Sequence, residues 1–121
     1  MPDNKIVVRS RDLPTYEPAP GARLRMLAGE DHSLGLSLVV AEYPPGGPGN
    51  AAHRHPNASA IYVIEGRGLF TVGDEEVAAE AGDIVLVPAN AWHSFRNDGD
   101  GWLRVVGADE GARHDAELRS D

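Results

Sequence analysis

Short runs of apolar and β-branched residues recur along the chain, separated by turns rich in glycine, proline and acidic residues. Runs of this length and spacing are typical of strands in an antiparallel sandwich or barrel. No segment before residue 108 has the periodicity of an amphipathic helix. The pattern therefore predicts an all-β fold of about eight to ten short strands. The clearest runs are residues 23–27, 34–43, 59–64, 69–72, 84–87, 92–96 and 102–106.

Composition divides the chain into three parts. Residues 1–21 carry four of the nine prolines, and we predict an extended arm there. Residues 22–107 hold the strand pattern, without an internal repeat or a linker, and are predicted to form one barrel. Residues 108–121 are predicted to form a polar C-terminal tail.

Charge excludes several classes of partner. The chain has 19 acidic and 11 basic residues and a net charge of −8, which repels phosphate backbones and anionic lipid surfaces. No apolar run approaches the roughly 20 residues of a membrane-spanning helix, and residues 1–5 do not resemble the start of a secretory signal. We therefore expect a cytoplasmic protein whose partner is a small molecule, not nucleic acid or a membrane.

The histidines are the candidate metal ligands, because the chain has no cysteine. His53 and His55 are separated by one residue, and such residues point to the same side of an extended strand. Neutral imidazole is the commonest protein ligand of transition metals. His32 lies in an acidic turn and His114 in the polar tail, so both are expected at the surface. His93 begins a later strand, and only strands folding back within a compact β domain can bring it near the pair.

The residues around His53 and His55 resemble the first motif of the cupin superfamily. That motif has the pattern G-x5-H-x-H-x3or4-E-x6-G, and Gly47, His53, His55 and Gly66 stand at its positions. Its glutamate ligand is replaced by Ser59, whose hydroxyl is a weak ligand and too short to substitute for a carboxylate. The first motif therefore provides no carboxylate ligand in this chain.

The residues around His93 resemble the second cupin motif, G-x5-P-x-G-x2-H-x3-N. The residues at its positions are Gly82, Pro88, His93 and Asn97. Asn90 replaces the motif's central glycine, and asparagine is the next most tolerant residue of a positive φ angle. The resemblance covers residues 47–97 and is to small single-domain bacterial cupins of the conserved-barrel class. It implies a double-stranded β-helix, a jelly-roll barrel with a metal site inside one end.

The resemblance implies a metal site made by His53, His55 and His93. Three neutral ligands leave a divalent ion its full charge, which favours an anionic, oxygen-donating substrate. They also leave open coordination positions, as in a catalytic site. We expect one divalent transition metal, with iron favoured and zinc, nickel, manganese or copper as alternatives.

An iron-dependent oxygenase, most simply a dioxygenase, is the leading functional expectation. The first alternative is a metal-assisted isomerase, cyclase or lyase acting on a carbonyl compound. The second is a cupin that binds a small molecule without chemistry, and the third is a barrel that has lost its metal. The fold does not choose between them, because function belongs to the site.

Strand parity predicts the neighbours of the metal. If the strand from His53 onward is unbroken, the odd positions share the side of the histidines, and Phe95 shares the side of His93. The residues predicted to line the substrate cavity are Asn57, Ser59, Ile61, Val63 and Phe95. Tyr62 and Ile64 then point outward, which predicts the contact of a homodimer.

Glu42 is the candidate catalytic residue. It shares a strand side with Leu36, Leu38 and Val40, and if that side is interior it is a carboxylate near the cavity mouth that can act as a general base. The alternative is a solvated glutamate at a strand end, which suits a residue that is seldom buried without a partner.

Overall fold

The computed structural model describes residues 7–29, 34–111 and 117–118. Within these ranges the chain forms two antiparallel five-stranded sheets and one short 3-10 helix at Ser10–Asp12. The strands are β1 (Arg23–Ala28), β2 (Leu36–Tyr43), β3 (His53–Arg54), β4 (Ser59–Glu65), β5 (Arg67–Val72), β6 (Glu75–Glu80), β7 (Ile84–Val87), β8 (His93–Asn97), β9 (Leu103–Glu110) and β10 (Glu117–Leu118). The predicted all-β fold is confirmed. Among the described residues, no helix has the length and apolar character needed to cross a membrane.

The strand order interleaves distant parts of the chain. The first sheet has the order β1-β2-β9-β4-β7 and the second the order β10-β3-β8-β5-β6. The late strand β9 pairs with both β2 and β4 and therefore lies at the centre of the first sheet. Buried residues alternate with exposed or partly exposed residues along the whole length of β9. Two antiparallel sheets with this interleaved order agree with the jelly-roll barrel that the cupin resemblance implies.

The hydrophobic core fills the space between the two sheets. Val63 on β4 and Leu103 on β9 are fully buried, and Phe70 on β5 is 1% exposed. Phe70 stacks on Phe95 of β8, with ring centroids 5.1 Å apart. Phe95 also lines the cavity of the candidate site, which therefore adjoins the core.

Two turns require residues that accept a positive φ angle. Gly66 joins β4 to β5 with a φ of 80°, and a Cβ atom there would lie 2.3 Å from the carbonyl oxygen of Trp102. Asn90, in the turn after β7, has a φ of 64°. The prediction that asparagine takes the place of the motif's glycine at this turn is confirmed.

The last part of the barrel extends beyond its predicted end. β9 continues to Glu110, three residues past the predicted boundary at 107, because the alternation of buried and exposed residues does not stop there. β10 also pairs with β3, so residues 117–118 belong to the second sheet. The prediction of a tail beginning at residue 108 is corrected accordingly. Residues 112–116 and 119–121 of the tail, residues 1–6 of the arm, and His32 lie outside the described residues, and His114 is among them.

Candidate metal centre

Three histidines meet at one end of the barrel. In the part of the chain that the structure describes, His53, His55 and His93 form a group whose ligand nitrogens all lie within 4.8 Å of one another. His53 of β3 is directly opposite His93 of β8 in the antiparallel register, and their ring centroids are 4.2 Å apart. His55 follows β3 and completes the group, 4.8 Å from His53 and 5.1 Å from His93 between ring centroids. His55 and His93 are buried.

Backbone carbonyls fix the orientation of two of these rings. Nδ1 of His53 lies 2.8 Å from the carbonyl oxygen of Ala51, and Nδ1 of His93 lies 3.0 Å from that of Ala91. A carbonyl oxygen only accepts hydrogen bonds, so Nδ1 carries the proton in each ring and the lone pair is on Nε2. Metal-ligating histidines are held in this way. The donor set and its geometry therefore fit a divalent transition metal.

The glycine- and proline-rich loop before β3 is attached to β8, and this places the first histidine. The side-chain Oδ1 of Asn50 accepts a hydrogen bond from the backbone amide of Phe95 at 2.7 Å. The backbone amide of Asn50 donates to the carbonyl oxygen of Phe95 at 3.1 Å. Across the site, the amide of Asn90 donates to the carbonyl of His55 at 2.8 Å. The turn of the second motif thus holds a histidine of the first motif.

The histidines line a partly enclosed cavity of about 70 Å³. Its other polar lining residues, among those described, are Tyr43, Asn50, Ser59 and Asp109. The remaining wall is apolar and comes mainly from the first sheet, as well as from Phe95. A site with one polar end and apolar walls suits a small organic ligand.

Tyr43 at the end of β2 is a cavity residue that the sequence patterns did not indicate. Its side chain is 3% exposed and packs edge-on against Phe95, with ring centroids 4.8 Å apart. Burial raises the pKa of Tyr43 from 10.0 to about 12, because desolvation disfavours the phenolate. The phenol therefore stays protonated at neutral pH and can donate a hydrogen bond.

Asp109 supplies a buried carboxylate to the cavity from β9. It lies directly opposite Ser37 of β2 and Ser59 of β4 in the register of the first sheet. The Ser37 hydroxyl donates to its Oδ2 at 3.4 Å, and the Ser59 hydroxyl donates to its Oδ1. Ser59, which stands where the motif has its glutamate, is thus hydrogen-bonded to a carboxylate from another strand. Continuing the strand parity of β9 past residue 107 would have indicated Asp109.

The predicted cavity residues divide into two groups. Ser59, Ile61 and Phe95 line the cavity together with the histidines. Val63 is fully buried in the hydrophobic core instead, deeper along β4. Asn57 lies in the break between β3 and β4, with its amide against Gly111. Both are corrections, because neither is among the residues that line the cavity.

Glu42 lies on the outer side of β2, away from the cavity. The buried side of β2 is the odd one, from Ser37 to Tyr43. The Glu42 carboxylate forms ion pairs with Arg23 at 3.4 Å and with Arg104 at 3.3 Å. This corrects the interior placement and agrees with the alternative of an outward-facing glutamate.

Comparison with known proteins identifies the family. A sequence model of the family described as Cupin domain matches residues 39–108, and the chain belongs to this family. A solved cupin-2 domain from Rhodospirillum rubrum is 27% identical, with a TM-score of 0.77 over 91% of this chain and 76% of that chain. The resemblance inferred from the two motifs is confirmed.

Two named enzymes are among the relatives in sequence. The 1-methylthio-D-xylulose 5-phosphate methylsulfurylase of Rhodospirillum rubrum is 35% identical over 105 residues, which are 81% of this chain and 67% of that protein. The gentisate 1,2-dioxygenase of Ralstonia sp is 32% identical over 93 residues, which are 72% of this chain. The chain spans only 24% of the length of that dioxygenase.

Proposed function

We propose that this chain is a mononuclear metal-dependent cupin enzyme that acts on a small anionic organic substrate, with His53, His55 and His93 as the metal ligands. The observation that carries the proposal is the convergence of three imidazoles, two of which have Nδ1 within hydrogen-bonding distance of a backbone carbonyl. A divalent metal bound there supplies Lewis-acid chemistry and, if it is iron, access to dioxygen.

The cavity residues have separate roles in this proposal. The three histidines hold the metal and leave coordination positions for the substrate. Tyr43 remains protonated and offers a hydrogen-bond donor to an anionic substrate oxygen. Ile61 and Phe95 form apolar walls that exclude water from the reacting atoms.

An oxygenase with iron is the leading reaction, and the named gentisate dioxygenase among the relatives supports it. The methylsulfurylase supports a second candidate, a metal-assisted isomerase, cyclase or lyase, because its named substrate, a xylulose phosphate, is a carbonyl compound. Both reactions use the same three ligands. The metal and the need for dioxygen distinguish them.

Oxygen uptake by iron-loaded protein tests the leading reaction. We expect uptake that depends on a small enolate, catechol or α-keto acid from a panel and that is lost in His93→Ala. Ser94→Ala is the matched control, because Ser94 is next to His93 on β8 and does not line the cavity. Turnover that continues without oxygen favours the isomerase, cyclase or lyase. A ligand that binds saturably and is recovered unchanged contradicts both enzymes and leaves a binding protein.

A homodimer through the outer side of β4 and β7 is part of the same proposal. Tyr62 pairs with Ile84 across these strands, and Ile84 and Leu86 are 60% and 71% exposed. Within the described residues, β7 is an edge strand of the first sheet. Contiguous exposed apolar residues on an edge strand favour association. Light scattering should give twice the chain mass for the wild type and the single chain mass for Leu86→Glu, and a monomeric wild type contradicts this.

A further inference from the structure

We propose that Asp109 selects against dianionic substrates in this cavity, because its carboxylate lowers the affinity for a dianion relative to that for a monoanion of the same size. The inference rests on the proposed metal site, because the metal supplies the positive charge that Asp109 opposes. It concerns a residue outside both cupin motifs and makes Asp109 a specificity-determining residue.

The position of Asp109 is fixed by a row of three residues across three adjacent strands. Ser37, Asp109 and Ser59 are neighbours in the register of β2, β9 and β4, and all three are buried. Each serine hydroxyl donates to a different oxygen of the carboxylate. Two hydroxyl donors stabilise the ionised form of this carboxylate, and the row fixes its place on the wall of the cavity.

The carboxylate and the histidines face one cavity from opposite sheets. Asp109 and Ser59 line it from the first sheet, whereas His53 and His93 belong to the second. A ligand bound to the metal therefore shares a small cavity with the Asp109 carboxylate. Charges in such a space interact strongly, because little water screens them.

The charge of the loaded cavity follows from its groups. A divalent metal contributes +2, the three histidines are neutral ligands, and Asp109 contributes −1, which leaves +1. One monoanion neutralises this charge. A dianion leaves a net charge of −1 and brings a second carboxylate near Asp109, where like charges repel.

Glycolate and oxalate provide a matched test, because glycolate has a hydroxymethyl group where oxalate has a second carboxylate. Their affinities are measured from the visible absorption of cobalt(II)-loaded protein, with the cobalt retained after buffer exchange as a check that neither anion removes the metal. In Asp109→Asn, which has the same shape without the charge, we expect the affinity ratio to move toward oxalate by about tenfold or more.

Two further variants isolate the effect. Glu42→Gln removes a carboxylate from the outer side of the same sheet and should leave the ratio unchanged. If Asp109→Asn does not fold, Asp109→Ser replaces it, because this variant also removes the charge and leaves a row of three hydroxyls. A shift of the affinity ratio toward oxalate of at least about fivefold supports the inference, and a smaller shift overturns it. Wild-type protein that binds no cobalt contradicts the metal site itself. Normal cobalt binding with an unchanged affinity ratio contradicts only the role of Asp109.

Discussion

Tyr43 should make the folded protein lose stability as the pH rises above 10. Burial raises its pKa to about 12 in the folded protein, against 10.0 for a solvent-exposed tyrosine such as that of the unfolded chain. Below pH 10 both states keep the proton, whereas between pH 10 and 12 the unfolded chain loses it first. The free energy of unfolding then falls by about 1.4 kcal/mol per pH unit. From about pH 9 to pH 11, the Tyr43 contribution falls by about 1.3 kcal/mol.

Urea denaturation at these two pH values measures the effect, with Tyr43→Phe as the matched variant. From pH 9 to pH 11, we expect the free energy of unfolding to fall by about 1.3 kcal/mol less in Tyr43→Phe than in the wild type. Direct titration of tyrosinate absorbance should show one component near pH 12 that the variant lacks. A wild type without that component, or a variant that keeps it, contradicts the placement of the phenol in a desolvated cavity.

Three other substitutions test the positions of named residues. Leu103→Ala should cost about 2 to 5 kcal/mol in chemical denaturation, because the side chain is fully buried. Gly49→Ala should cost about 2 kcal/mol or more and reduce metal binding, because Gly49 has a φ of +79° and a Cβ there would lie 2.3 Å from the carbonyl oxygen of Phe95. Glu42→Gln should change stability by less than about 1 kcal/mol and leave metal content unchanged, since its ion pairs lie at the surface; loss of metal would contradict its outward placement.

The strands and the histidine group could be predicted because their signals are local. Apolar runs between turns mark strands without reference to the rest of the chain. His53 and His55 could be recognised as a pair because only one residue separates them. His93 could be recognised from the few residues around it. Asn90 fits the same explanation, since its positive φ depends on its own turn.

Parity failed where its assumptions did not hold. Asn57 lies outside the cavity because the chain between β3 and β4 is not a strand, and parity is lost across such a break. Val63 is on the inward side of β4 as predicted, but it packs in the hydrophobic core and does not line the cavity. Both sides of β2 are rich in apolar residues, so parity alone could not place Glu42 inside or outside.

Asp109 could not be identified as a partner of Ser59 from local sequence. The two residues become neighbours only because β9 inserts between β2 and β4, which is a long-range property of the fold. Such pairing depends on register across the sheet, and a register is set by the whole hydrophobic pattern. The absence of a glutamate at position 59 indicated that something differed there, but not which residue compensates.

Metal stoichiometry in protein purified without an affinity tag tests the central claim most directly. We predict about one divalent transition metal ion per chain in the wild type and in Ser94→Ala, and loss of that metal in His53→Ala and in His93→Ala. Circular dichroism of the same samples establishes that all four proteins are folded. Folded wild-type protein that binds no metal, even after incubation with iron, zinc, nickel, manganese and copper, or histidine variants that keep their metal, would contradict the three-histidine centre.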